Sequence, residues 1–191
     1  MMRIARAPLL LIIIIGAGIG GSLTDLQEGL NGVKKLSADI RVVSIAEGDT
    51  TISDGKLVLC RPDMALTLGE QHIVYRSDTL YRWFGSDSTG TAAFDSDFLY
   101  ASRKPIDKLA ENFTLALKET ADELVLTGTA RDEESVVGDF IAEFSKKGFV
   151  PQSIGWTSYT GEETHIYLLH IKMRCKKANI VIPDYLSFVN F

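Results

Sequence analysis

A chain of 191 residues is about one domain long, and 20 basic against 25 acidic side chains leave it at −5. That balance, with no basic cluster interleaved with aromatics, argues against a nucleic-acid partner. Hydrophobic residues make up 46% of the chain, enough for one well-buried core.

Residues 1–21 fit two incompatible explanations. Arg3 and Arg6, an apolar run from Leu9 to Ile15 and small residues ahead of Ser22 compose a secretory signal peptide. The same stretch holds Gly16, Gly18 and Gly21 in a G-x-G-x-x-G dinucleotide fingerprint, which resembles the start of flavin-dependent monooxygenases. A fingerprint needs an apolar crossover helix behind it and an acidic residue about 20 positions on. Behind Gly21, apolar residues at 23, 26, 30, 33 and 36 form one stripe of an amphipathic surface helix. Asp25 stands where close helix–strand packing wants a small residue, and Glu47 lies 31 residues past Gly16. No further strand–helix alternation follows. The signal peptide is the favoured reading, with a flavin- or NAD-binding enzyme the remote alternative. The expected organisation is a signal peptide over 1–21 and one domain over 22–191. Losing Arg3 and Arg6 takes the charge to −7. The first cysteine is Cys60, so no lipid-bearing Cys follows the presumed cleavage point, and a soluble mature product is expected.

Past the first helix, short alternating segments are punctuated by turn residues. Strands are expected at 37–45, 55–61, 63–68, 71–76, 79–84, 113–118, 123–129, 138–145, 152–159 and 164–174, with a further candidate at 185–190. Turn signals include Glu47-Gly48-Asp49, Asp54-Gly55, Lys147-Gly148 and Thr160-Gly161. Residues 91–112 interrupt the series and hold a short helix opening at Pro105. The fold class is mostly β with a few helices, as a large curved antiparallel sheet with helices closing one side. Leu57/Leu59, Leu80 with Trp83 nearby, Leu124/Leu126, Phe140/Phe144, Ile154/Trp156 and Tyr167/Leu169/Ile171 supply more apolar surface than two small helices cover. A filled core explains any one of them best. Together they suit a partly open barrel with a lipid-sized apolar cavity.

Within Gly55-Lys56-Leu57-Val58-Leu59-Cys60-Arg61-Pro62, period-two alternation puts Arg61 on the face of Leu57 and Leu59. An inward guanidinium needs several acceptors, and carbonyls at helix C-termini are natural ones. If alternation breaks at Pro62, Arg61 instead reaches solvent.

At these residues the chain resembles the periplasmic lipoprotein carriers of the Lol system, the LolA family. A helix ending in V-x-x-[LF]-x-A-x-[FI] is matched by Val33, Leu36, Ala38 and Ile40. A G-x-[LF]-x-[LV]-x-R-P strand is matched by Gly55, Leu57, Leu59, Arg61 and Pro62. A T-L-[WY]-x-[YW] strand is matched by Thr79, Leu80, Tyr81 and Trp83. A lid helix follows at Pro105, and an F-x-F-like strand at Leu186-Ser187-Phe188. The resemblance implies an unclosed antiparallel β-barrel with a lid of short helices over an apolar cavity, and a non-enzymatic carrier without cofactor or metal. The partners it implies are triacylated lipoproteins, an inner-membrane lipoprotein-releasing complex and an outer-membrane acceptor, with the carrier a monomer. It makes Arg61 the latch of the lid. The ligand-binding set is then Leu30, Val33, Leu36, Ile106 and Leu109 on the lid's inner face, Leu57, Leu59, Tyr81 and Trp83 on the barrel, and Ile40. Two family aromatics after the R-P pair fall here on Ala65 and Thr67, and Asp107 within the lid needs a solvent-facing place. A related lipid-binding receptor or envelope-stress sensor of the same fold is the alternative.

Other chemistry is sparse. His72, His165 and His170 form no metal motif, and no nucleophile elbow or paired-carboxylate signature appears. Asp132-Glu133-Glu134 reads as a solvated turn. In an oxidising periplasm Cys60 and Cys175 are able to pair, though sequence leaves their distance open.

Overall fold

Ser22 starts the first helix, α1 (Leu23–Gly32). Its hydroxyl accepts from the Asp25 amide at 3.1 Å, and the Asp25 carboxylate accepts from the Ser22 amide at 3.1 Å, a reciprocal capping box. Asp25 is thus a helix-starting residue. The computed structural model describes residues 22–94, 104–132, 135–175 and 180–190. The signal peptide and fingerprint, both within 1–21, lie outside them, as do Glu133 and Glu134.

The expected helical stripe ends early. Val33 is already extended at φ −74°, ψ 102°, and Leu36 belongs to the first strand. Gly29, Asn31 and Gly32 are poor helix formers, and together they stop the helix before its pattern runs out. Leu36, Ala38 and Ile40 are instead buried alternately along a strand.

Twelve strands follow. They are β1 (Lys35–Ala46), β2 (Asp49–Cys60), β3 (Asp63–Leu68), β4 (Gln71–Arg76), β5 (Thr79–Phe84), β6 (Thr89–Phe94), β7 (Phe113–Glu119), β8 (Glu123–Ala130), β9 (Val137–Ser145), β10 (Val150–Ser158), β11 (Glu163–Lys172) and β12 (Ser187–Asn190). The second helix, α2 (Pro105–Asn112), precedes β7. The sheet order is β12-β6-β5-β4-β3-β2-β1-β11-β10-β9-β8-β7, so β12 and β7 are its unjoined ends and it is not closed into a barrel. Pairs from β2 to β6 and from β7 to β11 are antiparallel. The terminal β12 runs parallel to β6, Phe188 opposite Gly90.

Two strands differ from expectation. β2 begins at Asp49 rather than Gly55, its first six residues all exposed; a strand with neither face buried carries no alternation to read. β6 was hidden because Thr89-Gly90-Thr91-Ala92-Ala93 reads as a turn. Its Gly90 is required, because a Cβ there would lie 2.7 Å from the Arg82 carbonyl oxygen and 2.8 Å from Phe188 Cε1.

The described residues divide into two compact units, those within 1–33, 42–52 and 100–167, and those within 34–41, 53–99 and 168–191. In the first, the register aligns Leu126, Ala142, Ile154 and Ile166 across four strands, and Gly128, Phe140 and Trp156 beside them. These apolar side chains are buried, with Phe144 and Leu126 fully so. Phe140 packs over Gly128, where a Cβ would come within 2.1 Å of its ring, and meets Phe113 edge-on at 5.0 Å. β11 inverts one expectation. Ile166 is buried and Tyr167 exposed, because the pairing of Ile154 with Ile166 selects the even-numbered face. Tyr167/Leu169 was the equally apolar alternative on a strand whose two faces read alike.

Candidate functional site: an apolar sheet face and a half-buried arginine

In the second unit, register decides which side chains meet. Across β2 to β5, Leu57 opposes Leu66, Leu66 opposes Ile73 and Ile73 opposes Arg82; one step along, Leu59, Met64, Tyr75 and Leu80 are aligned. Directly opposed residues share a face. Leu57, Met64 and Tyr75 have no exposed surface, and Leu59, Leu66, Ile73 and Leu80 have 7% or less. Ile40 joins them, since a Cβ added at Gly55, on the Leu57 side, would lie 3.2 Å from Ile40 Cγ1. Leu36 and Ile40 are buried on one side of β1. One face is therefore a continuous apolar floor of Ile40, Leu57, Leu59 and their cross-strand neighbours.

Tyr81 and Trp83 are not on it. Val58 opposes Ala65, Ala65 opposes Val74 and Val74 opposes Tyr81, which places both aromatics on the reverse face. There Trp83 is buried with Cys60, Val74, Ile180 and Leu186, and Tyr81, Phe188 and Cys175 pack against them. Tyr81 and Trp83 meet Phe188 edge-on, at 5.1 and 6.4 Å. This corrects the expectation that Leu57, Leu59, Tyr81 and Trp83 line one surface. The T-L-[WY]-x-[YW] run sets Leu80 opposite in direction to Tyr81 and Trp83, so of these three only the leucine faces the floor. Ala65 and Thr67 face the aromatic side too, the Thr67 hydroxyl standing 3.3 Å from His72 Nδ1 and His72 stacking on Trp83 at 5.1 Å.

Cys60 and Cys175 are joined, their Cα atoms 5.8 Å apart, so the disulfide fastens the C-terminal segment to the end of β2. Arg61 comes next. Its amide donates to the Lys34 carbonyl at 3.0 Å, and the Arg61–Pro62 bond is cis. Arg61 is half-buried rather than fully solvated. Burial alone pulls its guanidinium below the ordinary arginine value. The charge persists in any case, because an arginine does not deprotonate in proteins.

In the first unit, the helices bring together the other expected side chains. Leu30 and Val33 from α1 and its C-cap, and Ile106 and Leu109 from α2, are 4% exposed or less. Pro105 opens α2 at its first turn, where a missing amide costs nothing. Gln27 ties the helices. Its Nε2 donates to Asp107 Oδ1 at 3.2 Å, and its Oε1 accepts from the Asp107 amide at 3.0 Å. Asp107 thus has a defined partner as well as Lys104 at 3.4 Å, which accounts for an acid within an apolar helix pair. Neither the floor residues Met64, Leu66, Ile73 and Tyr75 nor the Gln27 clasp was foreseen. Alternation within β3 and β4 held the signal for the first four, but both faces of those strands are apolar.

Among the described residues no cluster of His, Cys, Asp and Glu could hold a metal, and no helix is long and apolar enough to cross a membrane. No family model matches the chain, and no curated protein is significantly similar to it. Solved structures supply likenesses of fold. An uncharacterised conserved protein from Thermus thermophilus is similar over 97% of this chain and 99% of its own, at 8% identity and TM-score 0.60. A LolA superfamily protein from Nitrosomonas europaea is similar over 81% of this chain and 92% of its own, at 12% identity and a lower TM-score of 0.41. A chain of the MucA/MucB complex from Pseudomonas aeruginosa is similar at 13% identity and TM-score 0.49, with this chain spanning 58% of it.

Proposed function

We propose that this protein is a periplasmic carrier that holds the acyl chains of lipoproteins and passes them from the inner to the outer membrane. Residues 1–21 are its signal peptide and 22–191 its carrier domain. The observation that carries the reading is the apolar floor of Ile40, Leu57, Leu59, Leu66, Ile73 and Leu80 with the half-buried, desolvated Arg61 just past the end of β2. The ordered run of motifs shared with the LolA family supports the same reading. Leu30, Val33, Ile106 and Leu109 form the inner face of the lid, Leu36 lies on β1 beside Ile40 instead, and Arg61 latches the lid. Tyr81 and Trp83 hold the C-terminal segment in place rather than touching cargo.

Affinity has to be held down for such a carrier to work. Each buried methylene is worth about 0.8 kcal/mol, so three acyl chains carry tens of kcal/mol gross. The floor is buried in the empty protein and must be uncovered before cargo enters, and that opening cost lowers the net affinity. The test is to purify the protein from the periplasm and weigh the complex and the isolated chain by intact mass spectrometry. A chain lacking about its first 21 residues with triacylated lipoprotein bound is expected. A full-length chain carrying flavin overturns the reading. Arg61→Leu is expected to fold and to change cargo release; unchanged delivery removes the latch.

A further inference from the structure

A cavity of about 420 Å³ lies in the second unit at the ends of β4, β5 and β6, beside β12. Its wall carries one cation, Arg82, and one anion, Asp87. The two are not paired with each other, nor is either a member of any ion pair among the described residues. Arg82 Nε is buried with no hydrogen-bond partner, an arrangement that normally costs a protein free energy. Arg82 stands on the apolar floor's face, opposite Ile73 and Thr91, whereas Asp87 sits in the exposed β5–β6 turn. Gln71, Thr89 and Thr91 add neutral hydrogen-bonding groups. At the rim, Phe84 and Val189 are 52% and 56% exposed.

Two opposite charges held apart in one cavity match a ligand that carries both. A simple anion would meet Asp87 as a repulsion, and a simple cation would meet Arg82 the same way. We infer that this cavity binds a small zwitterion, a phosphate or carboxylate joined to a primary ammonium, with Arg82 taking the anion and Asp87 the ammonium. The threonine hydroxyls and the Gln71 amide complete the hydrogen bonds. Phe84 and Val189 lie where an apolar substituent of the ligand would leave the cavity. Such a group is found both in free metabolites and in the head of an ethanolamine phospholipid. The inference stands apart from the acyl-carrier reading, since Arg82, Asp87 and the cavity have no part in that proposal.

The experiment is calorimetric titration of the full chain with O-phosphoethanolamine and, below its micelle concentration, with lysophosphatidylethanolamine. Inorganic phosphate and ethanolamine serve as the two half-ligands. The zwitterion is expected to bind at least about tenfold tighter than either half, about 1.4 kcal/mol. Arg82→Gln is expected to weaken it about tenfold. Asp87→Asn should weaken it by about threefold, less because the turn is solvent-screened, while tightening inorganic phosphate. Binding of both probes identifies the free zwitterion as sufficient; binding of the lysolipid alone identifies the membrane head group, and either supports the site. If Asp87→Asn binds O-phosphoethanolamine as well as or better than the parent, the site takes simple anions and the inference fails. It fails also if Arg82→Gln has no effect or if neither zwitterion binds. Asp87 is exposed, so its variant tests the idea even if Arg82→Gln folds poorly, and Arg82→Lys retains the charge as a second check.

Discussion

Replacing Gly55 with alanine probes the geometry behind the floor most directly. A Cβ at this position would fall 2.1 Å from the Thr67 carbonyl oxygen, 3.2 Å from Leu68 Cα and 3.2 Å from Ile40 Cγ1. A carbon–oxygen contact normally closes no nearer than about 3.3 Å, so the Thr67 carbonyl must retreat by roughly an ångström. It is backbone within the β2–β3 ladder, where Gly55 opposes Leu68, and cannot swing away as a side chain would. Overpacking of this kind costs about 1–3 kcal/mol. Against it stands a gain of about 0.4–1 kcal/mol from stiffening the unfolded chain. A net loss of about 1–2 kcal/mol follows, which at about 2–4 °C per kcal/mol for a chain of this size lowers Tm by roughly 2–8 °C. Thermal unfolding followed by circular dichroism measures it. Gly85→Ala is the control, because its nearest atom would be His72 Nε2 at 3.6 Å, an ordinary contact. If Gly55→Ala melts at or above the parent while Gly85→Ala is unchanged, the close-approach argument for this glycine is wrong.

Removing the Cys60–Cys175 bond, by Cys60→Ser with Cys175→Ser or by reductant, opens a loop of 115 residues. A destabilisation of about 3–5 kcal/mol is expected in urea unfolding, and a loss under about 1 kcal/mol would show the C-terminal segment is held by packing alone. A double-mutant cycle of Gln27→Ala and Asp107→Ala should report a coupling of about 0.5–1.5 kcal/mol from their reciprocal hydrogen bonds; additivity would dissolve the clasp. The hydrogen bond from Arg41 holds the Asp54 carboxyl below the usual carboxylate value. A depressed folded pKa stabilises above the unfolded value and is lost as pH falls through the folded one. Carboxyl NMR titration should therefore place Asp54 low in the parent and nearer normal in Arg41→Ala.

The fold was legible wherever turn residues or a proline mark where an element begins and ends. β3, β4 and β5 begin and end where the turn residues put them, and α2 opens at the proline that announces it. Legibility failed in three physical situations. β2 extends through Asp49-Thr50-Thr51-Ile52, where both faces are exposed and alternation has nothing to record. β11 carries apolar residues on both faces, so only the pairing of Ile154 with Ile166 reveals which is buried. Leu36 continues a helical stripe in sequence, yet the glycines at 29 and 32 end the helix before it. Of the expected site residues, Leu57, Leu59, Leu30, Val33, Ile106 and Leu109 are buried. Tyr81 and Trp83 misled because what covers them, residues 180–188, comes about a hundred residues later in the chain.

That misplacement bears on the proposed mechanism. From Leu57 onward the β2–β5 sheet is buried on both faces, with one side given to the floor and the other to the C-terminal segment. Along β2 the two uses alternate residue by residue. Leu57 and Leu59 point to the floor, while Val58 and Cys60 point to the segment that Cys175 and Phe188 anchor. Arg61 follows immediately, its amide held by the Lys34 carbonyl and its neighbour Cys60 tied covalently. The backbone beneath the guanidinium is therefore fixed from two directions, which leaves the side chain's own torsions as the moving part. The proposed latch would then release by rotating one side chain rather than by moving a strand. In the proposed carrier its energy would lie in the desolvated charge and the acceptors it gives up, and not in the sheet.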